Sequence, residues 1–465
     1  MNAVTRKLTT ALLAASAMIP TSALAQDAAA TPDVLARIDQ MQAEITRLSA
    51  EVANLRAQAA AQPPAPVAAP VAVAVAPVAA AAPAPAPEQP RIAFKGGPEI
   101  TAPGGWSFKP RGRLQVDAGT VSAPAGVTDN STGFGSEVRR AFLGVDGKIP
   151  GGFSYRAEVD IAASSVEVTD LYLTYQASKE LSVTVGQSKP FWGLEELTSD
   201  LFTSLNERAA INTAFGYERR LGLSSTWAKG PWLVQAGVFT DNVADLNSDE
   251  NNSWSADGRV VFAPKIGPTQ LHFGASAHRR DLNDAANTVR YRVRPFTHTA
   301  DIRFIDTGTI GAEAETGYGL EAGVVSGRWH ATGETHWQHV SRPGALADPT
   351  FFGGYAEVGV FLTNDTRGYK GGAFDRVRPS SPLGSGGFGA LQLNVRYDYL
   401  DLNDAGVNGG TQNGYLASLV WTPTEYTRFM LNYGRLQYRD AAIVAAGNDW
   451  NYGVDTTALR AQFDF

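Results

Sequence analysis

From Trp106 to Phe465 the chain alternates apolar and polar residues with period two. Phe153, Tyr155, Ala157, Val159 and Ile161 alternate with Arg156, Glu158 and Asp160. Leu391, Leu393, Val395, Tyr397 and Tyr399 alternate with Gln392, Asn394, Arg396 and Asp398. A period of two puts successive side chains on opposite faces of a strand, so this region is predicted to be all β. Alternation fits a soluble sandwich, with its apolar side on a core. It fits equally a membrane barrel, with its apolar side on lipid and its polar side on a wet lumen.

The N-terminal pattern favours the barrel. Arg6 and Lys7 precede an apolar run, and Ala23-Leu24-Ala25 fits a small-x-small cleavage site, so residues 1–25 are read as a signal peptide. Val34, Ile38, Met41, Ile45, Leu48, Val52 and Leu55 then recur at alternating steps of four and three, the seam of a coiled coil over residues 26–58. Residues 59–90 are Ala/Pro/Val-rich and nearly uncharged. Polyproline II at about 3.1 Å per residue would make them a spacer of at most ~100 Å. The remaining residues, 91–465, form the strand region, and its last strand ends on Phe465, which resembles an outer-membrane assembly signal.

Link lengths predict the topology. Tight links fall at Ile149–Gly151, Ala177–Lys179, Lys229–Pro231, Ala263–Pro268, Ser326–Gly327 and Pro423–Thr424. They alternate with long ones at Thr120–Ser136, Ser188–Arg219, Asp241–Asn252, Asp281–Gly317, Ser341–Thr350, Asn403–Thr411 and Asp440–Asp455. One link on the short side, Asn364–Gly387, is itself long. Seventeen strand-like runs can be counted if Tyr291–Ile305 is included. A closed barrel with both ends on one side needs an even number. Leu271–Arg280 and Trp329–Val340 run the same way with Tyr318–Val325 between them, so Tyr291–Ile305 belongs to a loop. Sixteen strands remain, enough to enclose a water channel.

Three links are long enough to fold inward: Ser188–Arg219, Asp281–Gly317 and Asn364–Gly387. The first carries Lys189-Pro190-Phe191-Trp192-Gly193, with a helical turn predicted over Leu197–Asn206. Val138-Arg139-Arg140-Ala141-Phe142-Leu143-Gly144-Val145-Asp146-Gly147, Gly186-Gln187-Ser188-Lys189-Pro190-Phe191-Trp192-Gly193-Leu194-Glu195 and Asn206-Glu207-Arg208 resemble the phosphate-selective porin O and P family, over roughly Trp106–Phe465. The resemblance implies a trimeric outer-membrane pore lined by basic residues on inward loops and as an arginine ladder.

Charge enters at this point. The formal net charge of −7 becomes −9 once Arg6 and Lys7 leave with the signal peptide. Outer-surface charge is screened over about 8 Å at physiological salt, so local charge governs a pore. Arg290, Arg292 and Arg294 share one face of an extended segment, followed by Arg303. Guanidinium is always charged and forks onto phosphate oxygens, so these residues, with Lys189, Arg140 and Arg220, are the candidate anion-binding constriction. The wall is mixed: inward arginines are expected at 156, 259, 280, 328, 396 and 428, and inward acids at 158, 160, 170, 257, 321, 334, 357 and 398. Glu195, Glu196 and Asp200 lie beside Lys189, and a base about 4 Å from an acid interacts by roughly 4 kcal/mol at an effective dielectric near 20, enough to neutralise it.

Other classes find little support. The chain has no Cys, so no thiolate metal site, and His330 and His336 on one strand stand ~20 Å apart by strand rise. It has no Gly-x-Ser-x-Gly, His-Glu-x-x-His or P-loop. The expectation is therefore an all-β, 16-stranded antiparallel transmembrane barrel with an N-terminal helical coiled-coil arm in the periplasm, without enzymatic activity, cofactor or metal. Its expected partners are small anions such as phosphate, outer-membrane lipid and two further copies of itself, with no nucleic acid. A general or carbohydrate porin, served by Phe191 and Trp192, is the alternative. A structural tether reaching the cell wall through the coil is another.

Overall fold

A computed structural model describes residues 89–465, apart from 163–164, 217, 247, 249–252 and 284–286, together with Ala43, Thr46, Arg47 and Ala50. Those four are helical and exposed. The signal peptide, the seam of the coiled coil and residues 59–88 of the spacer lie outside the described residues.

Sixteen strands form the wall. They are β1 (Trp106–Val121), β2 (Gly133–Ile149), β3 (Phe153–Asp160), β4 (Glu167–Gln176), β5 (Leu181–Ser188), β6 (Arg220–Lys229), β7 (Trp232–Phe239) and β8 (Trp254–Phe262), then β9 (Thr269–Asp281), β10 (Ala314–Ser326), β11 (Trp329–Ser341), β12 (Thr350–Phe361), β13 (Ala390–Asp404), β14 (Val407–Thr424), β15 (Thr427–Arg439) and β16 (Gly453–Asp464). Each pairs antiparallel with the next. β16 returns to β1, from Thr456 opposite Val121 to Asp464 opposite Arg113, so no edge is left open along that stretch. Phe465 continues the seam by two backbone bonds to Gly112 and lays its ring where a Gly112 Cβ would sit. Closure satisfies the backbone without water, as a bilayer requires.

The alternation reads as expected. Leu114, Leu143, Val185, Leu223, Val260, Phe273 and Leu320 point outward and are exposed to the bilayer side. Aromatics mark both rims. Trp421 stacks on Phe388 and Phe429 and Trp232 meets Phe262 at the short-turn end, while Phe352 meets Trp337 and Tyr399 towards the long-loop end. Such belts suit the two bilayer interfaces.

The parity argument for Tyr291–Ile305 holds. β9 pairs directly with β10, and the segment between them has only two-residue ribbons, Thr288–Val289 with Ile310–Gly311 and Arg292–Val293 with Ile305–Asp306. Three expectations need correction. Asn403–Thr411 is not a long loop: β13 and β14 run on to a two-residue turn, Ala405 (φ 49°) and Gly406 (φ 82°), whose positive φ values match a tight hairpin. The first inward link has helical turns at Leu194–Leu197 and Ala210–Ala214, on either side of the predicted one. Arg328 is exposed in the tight turn after β10 and does not face the lumen.

The lumen itself is not uniformly wet. The segment after β9 crosses the bore: Tyr291 donates to Glu315 of β10 at 2.6 Å, and a Cβ on Gly119 or Gly135, on the far wall, would lie within 3.3 Å of Thr299. Its apolar side, including Tyr291, Val293, Phe296 and Phe304, packs with inward Phe351, Leu400, Leu402, Leu436 and Tyr438 of β12, β13 and β15 in one buried cluster. Period two hides this, because those inward apolar residues sit only at the long-loop ends of strands whose middles are polar.

Candidate functional site

The link after β5, residues 189–219, is strapped to one side of the barrel. Arg396 of β13 meets Glu195, Ser418 of β14 donates to the Ser204 carbonyl at 2.6 Å, Arg428 of β15 donates to the Thr203 carbonyl at 2.8 Å, and Arg460 of β16 donates to the Asn206 carbonyl at 2.6 Å. At its base Trp192 is fully buried, with its ring centroid 4.5 Å from His336 and 6.1 Å from His278. Glu334 accepts from the Glu195 N–H at 2.7 Å and from the Tyr355 hydroxyl at 2.6 Å. Its other oxygen occupies the space a Gly193 Cβ would need, so a larger residue at 193 would displace the Glu334 carboxylate.

The link before β13, residues 362–389, enters from the short-turn end. Its Arg367 pairs with Glu357 at 3.1 Å and lies 3.7 Å over the Phe374 ring. The Phe374 N–H donates to Thr198 of the first loop at 3.2 Å. Arg259 of β8 forks onto Glu321 at 2.6 and 2.9 Å and reaches the Gly372 carbonyl at 2.8 Å. All three long links therefore turn inward, and with the wall from β8 to β16 they fill that side.

Open space remains along β1–β6. A cavity of about 840 Å³ opens at the short-turn end. Its lining includes ten Arg and Lys residues, among them Lys109, Arg111 and Arg113 at alternate positions of β1, against five Asp and Glu. A second cavity of about 140 Å³ lies between the first loop and the segment after β9. The two share Arg140, Asp200 and Arg208, which form the narrow place between them.

A β-bulge shapes that narrow place. Gln115 pairs with Arg140 and Val116 with Val138, leaving Arg139 as the extra residue. Both arginines therefore reach inward: Arg139 meets Glu207 at 3.0 Å and Arg140 meets Asp200 at 2.7 Å. Burial opposes ionisation of Asp200, yet Arg113, Arg140 and Arg208 hold its carboxyl well below the ordinary range. Glu207 is likewise held low against burial by Arg139 and Arg460. These acids stay charged, and each takes up guanidinium charge. Lys189 bonds the Glu196 carbonyl at 2.8 Å and pairs with its carboxylate. Burial and then Arg208 push its ammonium down to about 8, against the pull of Glu196.

The expected site residues divide. Arg140 and Lys189 line the large cavity, Arg140 and Arg294 the small one. Arg290, Arg292 and Arg303 line neither. Arg290 pairs with Asp306 at 2.8 Å, Arg294 with Asp301 at 2.6 Å and Arg303 with Asp301 at 3.3 Å, while Arg292 is exposed beside them. Arg220 is buried at the long-loop end of β6 and lines neither cavity, whereas its neighbour Arg219 lines the large one. Reading the sequence alone misses Arg111, Arg113 and Lys109, although their spacing at the start of β1 carries the signal. Arg139 has no such signal, since strict alternation points it at lipid.

Comparison with known proteins agrees with this architecture. An uncharacterised protein of Caulobacter vibrioides is 49% identical over 392 residues, covering 82% of this chain and 78% of that one. Porin O of Pseudomonas aeruginosa is 28% identical over 355 residues, covering 69% and 78%. OmpT, an outer membrane protein of Vibrio cholerae, has a similar fold, with a TM-score of 0.50 at 10% identity over 77% of this chain and 98% of that one. The family described as phosphate-selective porin O and P matches residues 108–465. The chain belongs to that family of outer-membrane porins.

Proposed function

We propose that this porin conducts small solutes passively with a preference for anions, phosphate among them. The observation that carries the reading is the twofold excess of bases over acids around the large cavity, on the only side of the bore that the loops leave open among the described residues. Between low-dielectric walls that excess favours anion entry and disfavours cations. Arg140 and Arg208, two of those ten bases, stand at the narrow place, and Arg139 and Arg294 line the second cavity beyond it. Asp200, Glu207 and Glu196 temper it, which suits transit better than capture, since a conducting site must also release.

The carbohydrate alternative relies on an aromatic surface of Phe191 and Trp192. Trp192 is fully buried, so of that pair only Phe191 reaches the cavity, beside Phe142, Tyr172, Phe202, Tyr426 and Phe465 from elsewhere in the chain. The family resemblance further supports a homotrimer in the outer membrane with the short-turn end and the N-terminus in the periplasm.

Phosphate titration of chloride current through single channels tests the solute. A saturating fall in chloride conductance is expected, because a bound phosphate occupies the narrow place. A linear, unsaturated response would leave an anion pore without a phosphate site.

A further inference from the structure

Before β1, residues Arg91–Lys95 and Gly97–Ala102 form a hairpin that pairs with the start of β1, Ile100 opposite Phe108 and Ala102 opposite Trp106. β16 pairs with β1 only from Arg113 onward, so the hairpin takes the place of β16 beyond its end. Its turn, Gly96-Gly97, lies against Tyr426 and Phe465. The strand Arg91–Lys95 has no partner on its outer edge among the described residues.

The hairpin has two unlike faces. Ala93, Glu99, Thr101 and Ser107 fall on the side of Lys109, which lines the cavity. On the other side Ile92, Ile100 and Phe108 form a cross-strand row, flanked by Phe94 opposite Pro98. Ile92 is 64% exposed, Phe94 79% and Phe108 44%. The face continues the outer wall past Phe463, the last aromatic of the rim on β16. The hairpin thus carries an exposed apolar face and an open strand edge beyond the end of β16, and that combination marks an interaction surface.

We propose that this hairpin is a contact between copies of the chain, its apolar face packing against the same face of neighbouring subunits to form a collar at the short-turn end. A second copy is the occupant that the chain itself favours. The sequence leading into Arg91 carries the heptad seam Val34–Leu55, whose pattern gathers copies of the same segment. The proposal rests on the homo-oligomer proposed above and adds where its subunits touch.

The chain has no cysteine, so single cysteines report contacts without background. Phe94→Cys in the full-length protein, oxidised in isolated outer membranes, should shift the chain from monomer to a covalent dimer band. Val260→Cys, on the outer face of β8, should remain monomeric. In parallel, light scattering in detergent gives the mass of the unmodified protein, and the Ile92→Asp, Phe94→Asp double variant should lose oligomer while keeping heat-modifiable barrel mobility. Suppose the protein is oligomeric but Phe94→Cys gives no dimer band, and a fluorophore on its thiol is quenched by brominated lipid. That result would overturn the proposal in favour of a lipid contact. A photo-crosslinker on the same thiol that reacts only with residues 34–55 would overturn it in favour of the helix as occupant. A monomeric mass would remove the oligomer and the collar together, and would leave the anion reading intact, because that reading is measured by ion selectivity.

Discussion

Arg139 and Arg140 are neighbours, and yet both side chains reach the lumen, because the extra residue of a bulge breaks the alternation at that point. Deleting Arg139 would restore regular alternation while leaving Arg140 inward. The barrel should fold, Glu207 should keep only Arg460, and the chloride-to-potassium permeability ratio should fall; an unchanged ratio would remove Arg139 from the path. Lys189 gives a pH dependence. Its ammonium, pushed down to about 8, loses its proton as pH rises from 7 to 9, which removes one positive charge beside the cavity. Anion preference should therefore weaken over that window in the wild type. Lys189→Gln should be flat across it. A wild-type response as flat as the variant's would mean that Lys189 titrates higher or lies off the path.

Loops and strands divide the work. β13, β15 and β16 hold the first loop by buried arginines bonded to its carbonyls and to Glu195, and β14 by Ser418. Guanidinium suits this because it offers five donors in a fixed fork. Removing one partner leaves the others buried and unpaired, which typically costs about 3–5 kcal/mol. Arg396→Met would strand Glu195, and would leave Glu357 with Arg367 alone. The folded band should melt at lower temperature in gels, and open-channel current should grow noisier; a variant as heat-resistant and quiet as the wild type would show that the strap is dispensable. At this level the sequence was partly legible. Period two marked the walls, and parity removed Tyr291–Ile305 from them. The straps were illegible, because they join residues such as Asn206 and Arg460 that are 254 positions apart. So were the helical turns of the first loop, which are short and fixed by wall contacts more than by local propensity.

Residues 106–465 form a barrel filled on one side, and its pore is what the filling leaves. That eccentricity changes which charges matter. Arg396, Arg428 and Arg460 of β13, β15 and β16 are taken up by the first loop, and Arg111, Arg113, Arg140 and Arg156 of β1–β3 face the opening. The sequence carried the barrel and the strand number, but nothing in it says which wall the loops lean on. If the segment after β9 blocks the long-loop end as its contacts imply, replacing residues 288–311 by a short flexible link should raise single-channel conductance and lower anion preference together. Unchanged conductance would place the narrowest point elsewhere. The path along β1–β6 is tested at Arg140, which both cavities share. The measurement is the reversal potential in a KCl gradient at low salt, for the wild type and for Arg140→Glu. The wild type should favour chloride, and the variant should move towards potassium with every other arginine in place. A wild type that favours potassium, or a variant with an unmoved reversal potential, would contradict an anion pore along this wall.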